Sequence, residues 1–164
     1  MVKPWVAAVV IASTIAAGLE AQTAQASLEG VWEVSEWTKT GPNGGTSSNP
    51  QPSLYIFTAK YYSKIRVDSD KPRLQPPDLQ KASAADLLQL WGQNFFSANA
   101  GTYEVSNGRI TFRPVVGKDP AGMRPDYFEI DSIRIERNTI WLTQVSTADG
   151  PRPNPTTRRL VRLE

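Results

Sequence analysis

Acid and base chemistry in this chain falls to carboxylates and phenols: Glu33, Glu36, Glu104, Glu129 and Asp131, with Tyr61, Tyr62 and Tyr103. The 164 residues include no His and no Cys. The commonest general base, the usual partner of a nucleophilic hydroxyl and nearly all transition-metal ligation are therefore missing. The sequence has no nucleophile elbow, no Gly-rich phosphate loop and no metal-ligand spacing. Glu129 and Asp131 stand two apart, which places both carboxylates on one face of a strand. In an antiparallel barrel such a face is usually the solvated outer one. No catalytic residue, cofactor or metal is assigned.

Charge narrows the partners. Eighteen Lys and Arg against 16 Asp and Glu leave a net charge of +2, with a pI near 9.0. The excess is spread thinly, without the basic stripe and interleaved aromatics that a nucleic-acid surface needs. The densest basic clusters, Arg158-Arg159 and Arg134 with Arg137, suit soluble strand edges.

Eight short apolar segments read as strands, near 30–38, 52–58, 61–67, 101–106, 109–116, 126–136, 139–146 and 157–163. Ser106-Asn107-Gly108, Arg137-Asn138 and Asp149-Gly150-Pro151 supply turn chemistry between neighbours. Short turns imply antiparallel pairs and an up-and-down meander. In the sixth segment the apolar parity changes from Phe128 and Ile130 to Ile133 and Ile135, which predicts a bulge near Asp131 and Ser132. One stretch has helical spacing: Ser83 as N-cap, Asp86 in the first turn, then Leu87, Leu88, Trp91 and Phe95. This short helix lies between the third and fourth strands, after the Pro-rich link 71–77, and either buries its Leu and Trp against the barrel or acts as a lid. The connection 38–51 lacks apolar anchors and reads as a solvent-facing loop.

Residues 1–26 read as a secretory signal peptide. Lys3 precedes an apolar run over 4–18, and Ala24-Gln25-Ala26 before Ser27 has the small-x-small pattern of a cleavage site. The run falls short of the roughly 20 residues that span a bilayer, so no stable membrane insertion is expected after cleavage. The remaining domain, 27–164, is expected in the periplasm or outside the cell, stabilised by its core rather than by disulfides.

Gly30-Val31-Trp32 opens the first strand and Arg162 lies near the end of the last. The two can meet if the sheet closes, with the guanidinium covering the indole and plugging one end. Residues 28–34 and 159–164 resemble the terminal strands of lipocalin-like, calycin-type proteins. Together with 52–58 and 99–105 they look like the small exported bacterial lipocalin-like family. That resemblance implies an all-β, eight-stranded antiparallel up-and-down barrel carrying one short helix.

Alternation predicts inward faces at Trp32 and Val34, Leu54 and Ile56, Ile110 and Phe112, Ile140 and Leu142, and Leu160 with Arg162. Tyr103, Phe128 and Ile130 are further candidates, with Tyr61 or Tyr62. From these, Val34, Leu54, Ile56, Tyr103, Phe112, Phe128, Ile130 and Leu142 are the expected ligand wall, and Trp32 with Arg162 the closure. The reading is a barrel that binds a small hydrophobic or amphipathic molecule. The alternatives are a cofactor-free barrel enzyme of the cyclase or isomerase type, which needs a buried ionisable group facing the cavity, and a barrel filled by its own side chains that serves structure or protein interaction.

Overall fold

Asn107 and Gly108 both adopt positive φ, 51° and 68°, the backbone of a two-residue hairpin turn whose twist matches its strands. Turns of this kind organise the chain into a meander. The computed structural model describes residues 27–67, 78, 80–91 and 96–164. The expected signal peptide, the Pro-rich link 71–77 and Phe95 lie outside the described residues.

The strands are β1 (Gly30–Lys39), β2 (Gly45–Ser47), β3 (Leu54–Phe57), β4 (Tyr61–Arg66), β5 (Ser97–Ser106), β6 (Arg109–Gly117), β7 (Glu129–Glu136), β8 (Thr139–Thr147) and β9 (Gly150–Arg162). Helix α1 (Ala84–Trp91) lies between β4 and β5, and a 3-10 turn (Pro120–Met123) between β6 and β7. Successive strands pair antiparallel from β3 to β9. β1 pairs with β3 on one side and β9 on the other, closing an eight-stranded barrel. β2 is an addition to the far end of β1, opposite Trp37–Lys39. The connection expected to be a plain loop thus contains a short hairpin, in which the Thr38 and Thr46 hydroxyls bond at 2.9 Å.

At the closing seam Trp32 stands opposite Arg162. The guanidinium carbon lies 4.1 Å from the indole centroid, and the same group donates to the carbonyls of Ser27, Glu29 and Glu164. Trp32 is fully buried, and its indole N–H donates to the Leu28 carbonyl at 2.8 Å. A cation held by three carbonyls above an aromatic face plugs this end of the barrel. Gly30 permits the approach, since a Cβ there would collide with the Glu164 carbonyl and Arg162.

Behind the plug lies the apolar core, which includes Trp32, Val34, Tyr55, Phe57, Tyr62, Tyr103, Ile110, Phe112, Ile140, Leu142 and Leu160. Its aromatic rings interlock: Tyr62 meets Phe112 edge-on at 4.7 Å, and Phe57 meets Tyr103 edge-on at 5.4 Å.

Two expected faces are reversed. On β3 Leu54 and Ile56 are each 37 % exposed and point outward, while Tyr55 and Phe57 point in. All four residues of Leu54-Tyr55-Ile56-Phe57 are apolar, so alternation alone cannot choose a face. The larger aromatic pair gains more by burial, and it stands opposite Trp32 and Gly30. On β7 Glu129 pairs with Phe112 and Asp131 with Ile110, so the odd-numbered residues face inward. Ile130 is half-buried on the outer face, as is Phe128 just before the strand, where Arg113 lies 5.9 Å from its ring. No parity change occurs within β7. The register shift between Ile130 and Asp131 places the extra residue, Val145, on β8.

Helix α1 starts as expected. The Ser83 hydroxyl accepts from the Asp86 N–H, and the Asp86 carboxylate accepts from the Ser83 N–H and hydroxyl. The helix does not bury Leu87 and Leu88 against the barrel, for they are 37 % and 72 % exposed. β9 begins at Gly150 rather than near residue 157, because the tight β8–β9 turn lets Gly150 and Pro151 pair with Thr147 and Ser146.

Candidate functional site

Alternation along β4 carries its consequence into the barrel. With Tyr62 packed in the core, Lys64 two residues on must also face inward. It is only 3 % exposed. An ammonium there requires a partner, and the inward parity of β7 delivers one: Lys64 Nζ lies 2.8 Å from Glu129 Oε2. The same ammonium sits 3.8 Å from the Phe112 centroid and 5.1 Å from that of Tyr62. Asp131 is also buried and inward. On β9 Arg158 shares the inward parity of Leu160 and Arg162, and it is buried. A charged layer of Lys64, Glu129, Asp131 and Arg158 therefore lies across the interior above the aromatic core.

The two carboxyls respond in opposite senses. Burial alone would push Glu129 up, but the Lys64 ammonium and its hydrogen bond, with Arg66 and Arg158 nearby, hold it below the usual carboxylate range. Burial drives Asp131 up. Lys64 pulls against the rise and Glu129 adds to it, and Arg158 and Arg66 do not cancel it. Asp131 Oδ1 has no hydrogen-bond partner among the described residues. Burial also raises three phenols: Tyr62, Tyr127, and Tyr103, which is pushed up to about 12. Tyr103 donates to the Thr58 carbonyl at 2.7 Å, whereas the Tyr62 hydroxyl has no partner among the described residues.

Beyond this layer the barrel opens. A cavity of about 180 Å³ lies at the ends of β4, β6 and β8 and the beginnings of β5, β7 and β9, opposite the Trp32–Arg162 plug. Its wall is polar, with Arg66, Lys118 and Arg152 beside Asn99, Gln144 and Glu129. Phe96 and Tyr127 provide rings at its margin, and Asp119 adds a second carboxylate. That carboxylate caps the 3-10 turn by accepting from the Ala121 N–H at 3.0 Å. Lys118 Nζ donates to the Phe96 carbonyl at 3.0 Å. Asn99 Oδ1 is buried without a partner among the described residues. No group of three or more candidate metal ligands occurs among the described residues.

None of the eight expected wall residues lines this cavity. Val34, Tyr103, Phe112 and Leu142 face inward but are packed in the core. Leu54, Ile56, Phe128 and Ile130 lie on the outer face, for the reasons given above. Glu129 and Asp131, expected outside, are inside. Trp32 and Arg162 meet at the closed end. Lys64, Arg66, Asn99, Lys118, Gln144 and Arg152 are not among the residues expected from the sequence, and Arg158, expected with Arg159 at a soluble strand edge, is instead buried and faces inward, because it shares the parity of Leu160. A signal existed for Arg158, two residues before the inward Leu160, and for Lys64, two after Tyr62. No family model, curated protein or solved structure matches the chain.

Proposed function

We propose that this protein is an exported, lipocalin-like barrel that binds a small amphipathic molecule, whose polar part enters the cavity at the open end. The observation that carries this reading is the cavity itself. It is a polar recess of about 180 Å³ ending on a charged layer, at the opposite end of the barrel from a plugged, apolar core. Stability gives little reason to keep that layer, since replacing a buried ion pair by well-packed apolar residues is often neutral or stabilising. Pockets that hold small molecules orient them with a few convergent polar groups, and Asn99, Gln144 and Arg152 form such a set. Native mass spectrometry of the protein purified from its own host is the test. A retained small molecule in the wild type that is absent in Gln144→Trp, with the fold intact, is the expected result. A bare wild type that also binds no added probe sinks the reading. Export rests on the pattern over residues 1–26, and N-terminal sequencing of the exported protein should begin at Ser27.

One observation favours a second reading, a cofactor-free enzyme acting on a bound organic substrate. Glu129 lines the cavity, and Asp131 lies on the same face of β7 with its carboxyl raised by burial. Two carboxyls pushed apart in pKa are the usual material of paired base and acid. Turnover with a bell-shaped pH profile, lost in Glu129→Gln, would establish that reading over simple binding.

A further inference from the structure

Ten large apolar side chains are exposed among the described residues, and they crowd towards one end of the barrel. Ile65, Val115, Val116 and Met123 are immediate chain neighbours of Arg66, Pro114, Gly117 and Gly122, which line the cavity. Leu54 stands beside Ile65 on the outer face. Leu87 and Leu88 belong to α1, which connects β4 to β5 at the open end, its last residue five positions before Phe96 at the cavity margin. Only three of the ten, Ile56, Tyr61 and Leu163, lie towards the plugged end. The mouth of a polar cavity thus carries an apolar collar on its outside.

The form of the collar selects what covers it. An isolated helix shorter than about 12–15 residues is marginal in water, and α1 has 8. Leu87 and Leu88 are exposed, so the barrel does not supply the packing that their side of the helix needs. A second copy of the chain is a poor match. A stable protein interface buries about 800 Å² of complementary surface per partner, whereas the collar comes from α1, β4, β6 and the 3-10 turn, set about an opening rather than on one flat face. A lipid interface conforms to such apolar points and takes them up without demanding a matching shape. We infer that the open end of the barrel docks on a lipid bilayer, with Leu87, Leu88, Val115, Val116 and Met123 entering its interface and the cavity mouth turned towards the headgroups. An amphiphile in that bilayer presents its polar end to the mouth, the end that the cavity is lined to receive. This last consequence alone rests on the binding reading above.

The chain has no cysteine, so Val115→Cys and Leu163→Cys can each carry a single environment-sensitive fluorophore. The two positions lie at opposite ends of the barrel and are 71 % and 51 % exposed. The purified exported protein is mixed with phosphatidylcholine vesicles, and its partition coefficient is read by flotation. The expected result is vesicle binding, with brightening of the label carried by Val115→Cys and none of that carried by Leu163→Cys. The triple variant Leu87→Gln/Val115→Gln/Val116→Gln should partition roughly tenfold or more weakly, since three apolar side chains leave the contact, while its thermal unfolding is unchanged. Leu163→Gln should partition like the wild type. Absence of vesicle binding overturns the inference, as do equal brightening at both ends and an unchanged coefficient in the triple variant. Brightening of the Val115→Cys label without vesicles, as protein concentration rises, overturns it in favour of a second copy. If the triple variant loses stability, the two labelled proteins decide the matter between them. None of these readouts uses a ligand, so vesicle binding by a protein that retains no small molecule removes the container reading and keeps the docking surface.

Discussion

Lys64 and Glu129 each depend on the other for their burial. Removing one partner of a buried pair leaves an uncompensated charge, so Lys64→Met should cost about 3–5 kcal/mol. The double replacement Lys64→Met/Glu129→Leu should recover most of that loss, because both desolvation costs disappear together. Equilibrium denaturation of the two variants checks this, and a double variant as unstable as the single would show that other groups hold the layer together. Asp131 acts in the opposite sense. Its native pKa lies above the unfolded value, so the native state binds more protons, and stability falls as pH rises from about 3.9 through the raised native value. Asp131→Asn mimics the protonated form. It should exceed the wild type in stability at pH 7, with the difference closing as pH falls towards about 4. Glu129, held low, contributes stability that is present above about 4.3 and lost as pH falls through its native value. The acid limb should therefore survive in Asp131→Asn, and stability curves over pH 3–8 would show both limbs.

Among the elements, the β5–β6 hairpin gives the cleanest separation of backbone from packing. Gly108 has φ of 68°, and a Cβ there would meet nothing within 4 Å. Gly108→Ala should thus cost only the left-handed backbone penalty, about 1–2 kcal/mol. Thermal or urea unfolding measures it, and a negligible loss would mean that the turn relaxes to another type. The elements also explain how a polar chamber and an apolar core share one barrel. On two strands the inward row runs from core residues to polar ones along a single parity: Tyr62, Lys64 and Arg66 on β4, Ile140, Leu142 and Gln144 on β8. The change of character along these rows separates the closed end from the open one.

For the whole molecule, closure is the controlling event, because β1 and β9 bring together residues 117 to 130 positions apart. Arg162→Ala removes the cation from the Trp32 face and frees three carbonyls from its grip, and Trp32→Ala opens the core. The aromatic truncation should cost about 3–5 kcal/mol. The cation–π contact accounts for roughly 0.5–2 kcal/mol of coupling. A double-mutant cycle measures that coupling, and a value of zero would mean that the two side chains do not support each other in solution.

Much of this architecture is written locally. The Asn107-Gly108 and Arg137-Asn138 turns, the Ser83 and Asp86 cap and the apolar segments all act over a few residues, so the eight barrel strands, their meander order and the position of the helix follow from the chain alone, whereas β2 does not. The meeting of Trp32 and Arg162 was legible for a related reason, since an up-and-down sheet that closes has to join its first strand to its last. The candidate site was not legible. Alternation states that Glu129 and Asp131 share a face, and that Leu54 and Ile56 share one, but it does not state which face. Where apolar residues meet polar ones, burial decides. On β3 every residue is apolar, and the fit of Tyr55 and Phe57 against the core decided instead. On β7 the desolvation cost of two carboxyls argued for the outside, and what reversed it was an ammonium 65 positions away. Only when the closed barrel sets Lys64 against Glu129 does the Coulombic attraction exist that allows both to be buried, and with them the charged floor of the cavity.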